Sequence, residues 1–170
     1  MNYTFRKAKT EEQQQIWKIL ENAIQRRKEE GSDQWQDGYP NPAIVQNDIN
    51  KENGFVLVNE NETIVGYAAI LINDEPEYAN IKGKWLTNED FIVMHRVAIS
   101  DQYLGQGLAQ KMLRYMEEYA VSNTIFSIKA DTNFDNTAML KVFEKNGYVY
   151  CGEVTFRGNP RKAFEKTLQK

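Results

Sequence analysis

The sequence predicts an α/β fold, a mix of helices and strands with several hairpins, and three observations point there. Apolar runs of strand length alternate with helical periods in the order β-α-α-β-β-β-α-β-α-β-β. Two of the strand pairs are separated only by short polar turns, which argues against a purely parallel, doubly wound sheet. One strand-to-helix junction, Gln102-Tyr-Leu-Gly105-Gln-Gly107, carries two glycines separated by one residue. At 170 residues, 41% apolar and 26% charged, the chain has the size and composition of one globular domain spanning residues 1–170.

Each element has its own local cause. Residues 2–9 alternate weakly and read as an edge strand. Thr10-Glu-Glu-Gln13 has a capping-box pattern, and Ile16, Trp17, Leu20, Ala23 and Ile24 then share one helical face up to about Glu30, with Gly31 as the stop. The turn-rich stretch around Trp35 and Tyr39 leads to a second helix from Pro42 that ends before Gly54. Phe55–Val58 and Thr63–Ile72 read as a hairpin, and residues 73–88 as a polar loop with a short helix. Phe91–Ile99 is the central strand. A helix follows from about Gly105 to Val121, with Leu108, Met112, Met116 and Tyr119 marking its buried face. A strand at 124–130, a helix at 136–146 stopped by Gly147, and a hairpin of Tyr148–Phe156 with Arg161–Leu168 complete the order.

Composition excludes several function classes. A net charge of −3 leaves no electrostatic footprint for nucleic acid. No apolar run approaches the ~20 residues of a membrane span, and the amino terminus shows no secretory pattern, so a cytoplasmic protein without membrane partners is expected. Cys151 has no second cysteine to pair with, and one histidine with one cysteine argues against a zinc site, so no metal is expected. Residues 1–100 carry 11 Lys/Arg against 16 Asp/Glu, whereas residues 101–170 carry 10 against 8. That split suits a phosphate-binding half beside an acidic half that receives a cation, and equally an uneven distribution over solvated surfaces.

The unit of strand, QxxGxG turn and helix is the form that anion binding needs. Glycine lets the backbone approach a phosphate without a Cβ, and the first helical N–H groups point at the charge. A second motif follows, Asn136-Thr-Ala-Met-Leu-Lys-Val-Phe-Glu-Lys-Asn-Gly147-Tyr148. Together, in this order and separation, the two motifs resemble those of the Gcn5-related N-acetyltransferase (GNAT) superfamily over essentially the whole chain. Gln34-Trp35 with Tyr39-Pro40 also resembles a bacterial subgroup of its small members.

The resemblance implies a mixed, mostly antiparallel, twisted sheet of about seven strands, splayed at the central strand and flanked by about four helices. It also implies an acetyl-CoA-dependent N-acetyltransferase acting by direct attack of an amine in a ternary complex. By that resemblance the backbone of Val97, Ala98 and Ile99 would bond the pantetheine arm. Gln102, Gly105, Gln106, Gly107, Leu108 and Ala109 would hold the pyrophosphate, and Asn136 would meet the cofactor arm. A backbone N–H near Val97 would polarise the thioester carbonyl. Homodimers are common among such proteins.

Alternatives stand beside several of these roles. Asn is a favoured helix cap, so Asn136 has a structural reading as well. His95, the only histidine, falls by strict alternation on the face of Val93 and Val97; it is either a hydrogen-bonded core residue or a general base, for which an ordinary pKa of about 6.5 is suited. Arg96 reads as a packed, paired or cofactor-facing cation rather than a chemical participant. Trp35 and Tyr39 either line an acceptor pocket or pin their loop to the body. Cys151 reads as inert core. Phe143 departs from the family, where a tyrosine that protonates the leaving thiolate is common. That departure keeps open a rival reading, a non-catalytic acyl-CoA-binding sensor. The acidic first half favours a small cationic amine as acceptor, with peptide amines also open.

Overall fold

The structure, a computed structural model, describes residues 2–170. Eight strands are hydrogen-bonded in the order β1-β2-β3-β5-β6-β8-β7-β4. They are β1 (Tyr3–Lys7), β2 (Gly54–Asn59), β3 (Ile64–Ile72), β4 (Lys82–Gly83), β5 (Ile92–Ile99), β6 (Ser127–Thr132), β7 (Val149–Phe156) and β8 (Asn159–Thr167), with helices α1 (Gln13–Glu29), α2 (Pro42–Asn50), α3 (Leu108–Ser122) and α4 (Thr137–Lys145). The β5–β6 pair is parallel; β1–β2, β2–β3, β4–β7, β6–β8 and β7–β8 are antiparallel. The mixed sheet and the four helices are as expected, with one strand more than seven. The chain divides into two compact units, Met1–Ile70 with His95–Leu113, and Leu71–Met94 with Arg114–Lys170.

The first unit is organised by α1. Ile16, Ile19, Leu20 and Ala23 recur at helical spacing and are buried against Val45 and Ile49 of α2, Val56 and Val58 of β2, and Tyr67 of β3. Trp17, expected inside, is only partly buried, and Ile19 takes the deeper place. The capping box lies one residue before the expected Thr10–Gln13 box and closes the 3-10 turn Thr10–Glu12 that leads into α1. The Lys9 N–H donates to Glu12 Oε1 at 2.7 Å, while Arg6 grips both Glu12 oxygens at 3.0 and 2.8 Å. The Arg6 hydrogen bonds hold the Glu12 carboxyl below its ordinary range. Helix α2 starts where Pro42 predicts, with Asn41 Oδ1 accepting from the Ile44 N–H at 3.0 Å.

The second unit is built on the β6–β8–β7 ladder. Tyr78, Val93, Val154 and Ala163 form its buried centre, flanked by Trp85, Phe91 and Phe156. Glu165 of β8 is fully buried and satisfied: it accepts from the Leu86 N–H at 2.8 Å, Thr87 Oγ1 at 2.6 Å and Ser127 Oγ at 2.7 Å. The Lys129 ammonium lies 4.6 Å from the Trp85 ring centre and 4.1 Å from that of Phe91, and burial pulls its pKa below the usual lysine value. The β7–β8 hairpin turns at Arg157 and Gly158, with φ of 49° and 79°, as the right-handed twist of paired strands requires.

The two-residue strand β4 lies inside the stretch expected as loop. It exists because glycine meets glycine: Gly83 pairs with Gly152 of β7, and a Cβ on Gly152 would stand 2.2 Å from the Lys82 carbonyl oxygen. Gly152→Ala, which also places a side chain at φ +136°, should therefore lose about 1–3 kcal/mol in urea denaturation. A loss within a few tenths would show that this close approach does not exist in solution.

Candidate active site

Strand β5 carries the geometry of the site. Its parallel register with β6 pairs Ile92 with Ile128 and Val93 with Lys129. Three residues later the strand is kinked, because Arg96 has φ of +55°. For a residue with a Cβ this left-handed conformation costs on the order of 1–3 kcal/mol, so the surroundings must hold it. It also breaks the strict alternation that put His95 on the face of Val97, and His95, Arg96 and Val97 are all half-buried.

What holds Arg96 is a carboxylate from α2. Arg96 Nε donates to Asp48 Oδ2 at 2.9 Å and Nη2 to Oδ1 at 2.6 Å, a two-pronged pair whose side chains are 8% and 3% exposed. Tyr67 donates its hydroxyl to Asp48 Oδ2 at 2.6 Å, and the Arg96 Nη1 donates to the Tyr39 hydroxyl. Burial disfavours the Arg96 charge, but Tyr39 and Asp48 outweigh it and raise the guanidinium pKa. Burial, reinforced by the Asp48 charge, pushes the Tyr67 phenol well up, so it stays a donor. Of the roles expected for Arg96, the pair with Asp48 is the one seen. Asp48 and Tyr67 were not anticipated, although Asp48 sits at helical spacing on the buried Val45–Ile49 face of α2, where a carboxylate needs a partner.

Beyond the kink the strand is regular. The Ser100 N–H donates to the Val65 carbonyl of β3 at 2.8 Å, so by alternation the peptide groups of Ala98 face β3 while those of Val97 and Ile99 point away from it. Of the three residues expected to bond a pantetheine arm, Ala98 is turned inward. The Ile99 carbonyl accepts from Arg26 Nη2 at 3.2 Å, and the same guanidinium pairs with Asp101, tying α1 to the start of the turn.

The turn is anchored at its base and open at its tip. A 3-10 turn at Asp101–Tyr103 closes with the Tyr103 N–H on the Ser100 carbonyl at 2.9 Å. Gly105 and Gly107 have φ of +75° and +73°, and a Cβ built on either meets nothing within 4 Å. The glycines are required by backbone conformation, and the space before them is free for a ligand. Helix α3 begins at Leu108, three residues after the expected Gly105, so both glycines belong to the turn. Gln102, Gln106 and both glycines are exposed; Leu108 is buried, which leaves only its backbone for a ligand. Gln102 lines a groove of about 600 Å³ with Gln14, Lys18 and Asn22 of α1, Thr63 and Ser100.

The profile of the acetyltransferase (GNAT) family matches residues 17–148. The chain belongs to that family. A GNAT-family acetyltransferase from Streptococcus agalactiae 2603 is 35% identical in sequence and superposes with a TM-score of 0.90, over 99% of this chain and 96% of that one. A Bacillus subtilis (strain 168) protein named uncharacterized N-acetyltransferase YesJ is 23% identical over 142 residues, 84% of this chain and 79% of its own length. YncA of Salmonella typhimurium, solved with its cofactor acetyl-CoA, shares the fold, with a TM-score of 0.71 at 15% identity over 100% of this chain and 96% of that one.

In this GNAT chain the second motif is structural where it can be read directly. Asn136 caps α4, its Oδ1 accepting from the Met139 N–H at 3.3 Å, while its Nδ2 donates to Thr132 Oγ1 at 3.0 Å. Phe143 is buried with ring centres 5.2 Å from Tyr148 and 4.9 Å from Phe164. The Tyr148 hydroxyl reaches Glu117 at 3.4 Å, and burial with that carboxylate pushes its pKa well above the usual phenol value, which unsuits it as a proton donor. Burial also pushes the Cys151 thiol up, against nucleophilic use. Trp35 packs on the α1–α2 core, and the Tyr39 ring lies 5.9 Å from the Arg96 guanidinium carbon. Asn136→Ala should cost about 1 kcal/mol in thermal unfolding, and Asn136→Asp should recover most of it, since Asp caps as well as Asn. Equal losses for both would assign the effect to the Thr132 contact instead.

Proposed function

We propose that this GNAT protein transfers the acetyl group of acetyl-CoA to a primary amine, with a small cationic acceptor favoured, by direct attack within a ternary complex. The observation that carries the reading is the open turn with Gly105 and Gly107 both left-handed, immediately before α3. Its residues fit a pyrophosphate: no side chain fills the space, the first N–H groups of α3 lack helical partners by geometry, and the helix dipole favours negative charge there. Acetyl-CoA bound there would supply an activated thioester.

The chain's own residues then have distinct tasks. The peptide groups of Val97 and Ile99, turned away from β3, suit an extended arm laid along β5, and the Val97 N–H suits the carbonyl oxygen on which charge develops. His95, half-buried one residue before the kink, is the base candidate for an ammonium acceptor. With Phe143 lacking a hydroxyl, the thiolate leaves without a dedicated acid; a thiol pKa of about 8.5 makes that tolerable. Trp35 and Tyr39, both partly exposed, are the wall candidates for the acceptor, and the carboxylate excess of residues 1–100 favours a cation. Phe143 also supports a second reading, a sensor that binds acyl-CoA without turnover.

Thermal shift with acetyl-CoA, CoA and ATP tests the binding claim. At a ligand excess of ~100 Kd, acetyl-CoA should raise Tm by about 5–10 °C. ATP should do less, and Gly105→Asp should abolish most of the shift. No shift in the wild type sinks the reading, and binding without thiol release for any amine in a panel selects the sensor. His95→Ala should lower the plateau of the pH–rate profile and remove its acid limb; an unchanged profile returns His95 to the core.

A further inference from the structure

We propose that Asp48 is a positioning residue for acyl transfer: its two-pronged grip on Arg96 holds the left-handed backbone of that residue and so aims the Val97 N–H. The inference rests on the reading that β5 carries the thioester contact. Its physical basis is independent of any ligand. Arg96 is the one residue between Ile92 and Ile99 with positive φ, and nothing in an arginine favours that conformation. The compensation must come from the side chain, and the side chain is held at two nitrogens by Asp48, at 2.9 and 2.6 Å, and at a third by Tyr39.

Asp48 is itself fixed. It lies on the buried face of α2 between Val45 and Ile49, and its Oδ2 also accepts from Tyr67 of β3 at 2.6 Å. Helix, neighbouring strand and kink are therefore joined through one carboxylate. A change of φ at residue 96 rotates the following peptide plane, and that plane carries the Val97 N–H. The Tyr39–Arg96–Asp48–Tyr67 chain thus converts the packing of α2 into the direction of one amide. Nothing in this role requires Arg96 to touch substrate.

Glycine makes the inference testable, because it adopts positive φ without support. Asp48→Asn keeps the shape and a partner for Tyr67 but weakens the grip; Asp48→Asn with Arg96→Gly removes the grip and the need for it. In NMR, the wild type should show left-handed Cα shift and HN–Hα coupling at residue 96, and Asp48→Asn should lose them. Thiol-release kcat should fall by about 10–100-fold in Asp48→Asn, with the acetyl-CoA thermal shift retained, and the double variant should recover about tenfold or more of that loss. A left-handed residue 96 persisting in Asp48→Asn overturns the clamp. A double variant as slow as Asp48→Asn overturns the positioning role, since Arg96 would then act directly. If Asp48→Asn does not fold, the double variant, with no buried charge at either position, decides alone. A wild type with neither acetyl-CoA shift nor turnover sinks the parent reading and with it the catalytic use of the clamp, while the NMR comparison still judges the clamp itself.

Discussion

A left-handed arginine in the middle of a strand is the constraint around which the first unit is arranged. Left alone, Arg96 would relax to an extended conformation, and β5 would run straight. It does not, because the guanidinium is bound to a carboxylate that the apolar face of α2 has carried into the interior. A buried ion pair of this kind contributes little net stability, since desolvation offsets much of the attraction, but breaking one partner away is costly. Its value lies in geometry. The pair specifies one backbone conformation at one position, and the regular strand that follows inherits its direction.

The glycine turn obeys the opposite logic. Its base is tied down by Arg26 and by the Ser100–Tyr103 hydrogen bond, while open space surrounds the two left-handed glycines at its tip. A rigid root with an uncrowded tip suits a ligand whose own charges complete the packing. The same chain therefore sets a strained, heavily bonded residue in β5 and conformationally free glycines in the turn that follows it. Between them lie only eight residues of strand and turn, from residue 97 to residue 104.

Much of this was legible in the sequence, and the boundary of what was legible is physical. Period and caps found α1, α4 and the start of α2 within a residue or two, because Gly31, Pro42, Asn136 and Gly147 act locally, whereas α2 ends at Asn50, short of the Gly54 limit. The glycine turn was visible because glycine advertises positive φ. Arg96 was not, since its conformation is imposed by Asp48, 48 residues earlier in the chain. The two-residue strand β4 was too short to show a period, and it depends on a glycine on β7. The buried face of α1 was misjudged at Trp17, whose size makes partial exposure the common outcome. Asp48 did leave a trace: it is a lone carboxylate on the otherwise apolar buried face of α2.

The Lys129 cage has one more consequence. Trp85 lies under that ammonium and 4.9 Å from the Tyr78 ring, in the second unit, whereas Trp17 and Trp35 pack on the core of the first. The chain has no other tryptophan. Its intrinsic fluorescence is therefore divided by unit, one indole in a cationic, aromatic setting and two beside aliphatic side chains. Replacing Trp85 by phenylalanine leaves emission from the first unit alone, and replacing the other two leaves the second. The fold comes with its own optical labels, placed where the melting of either unit can be watched apart from the other.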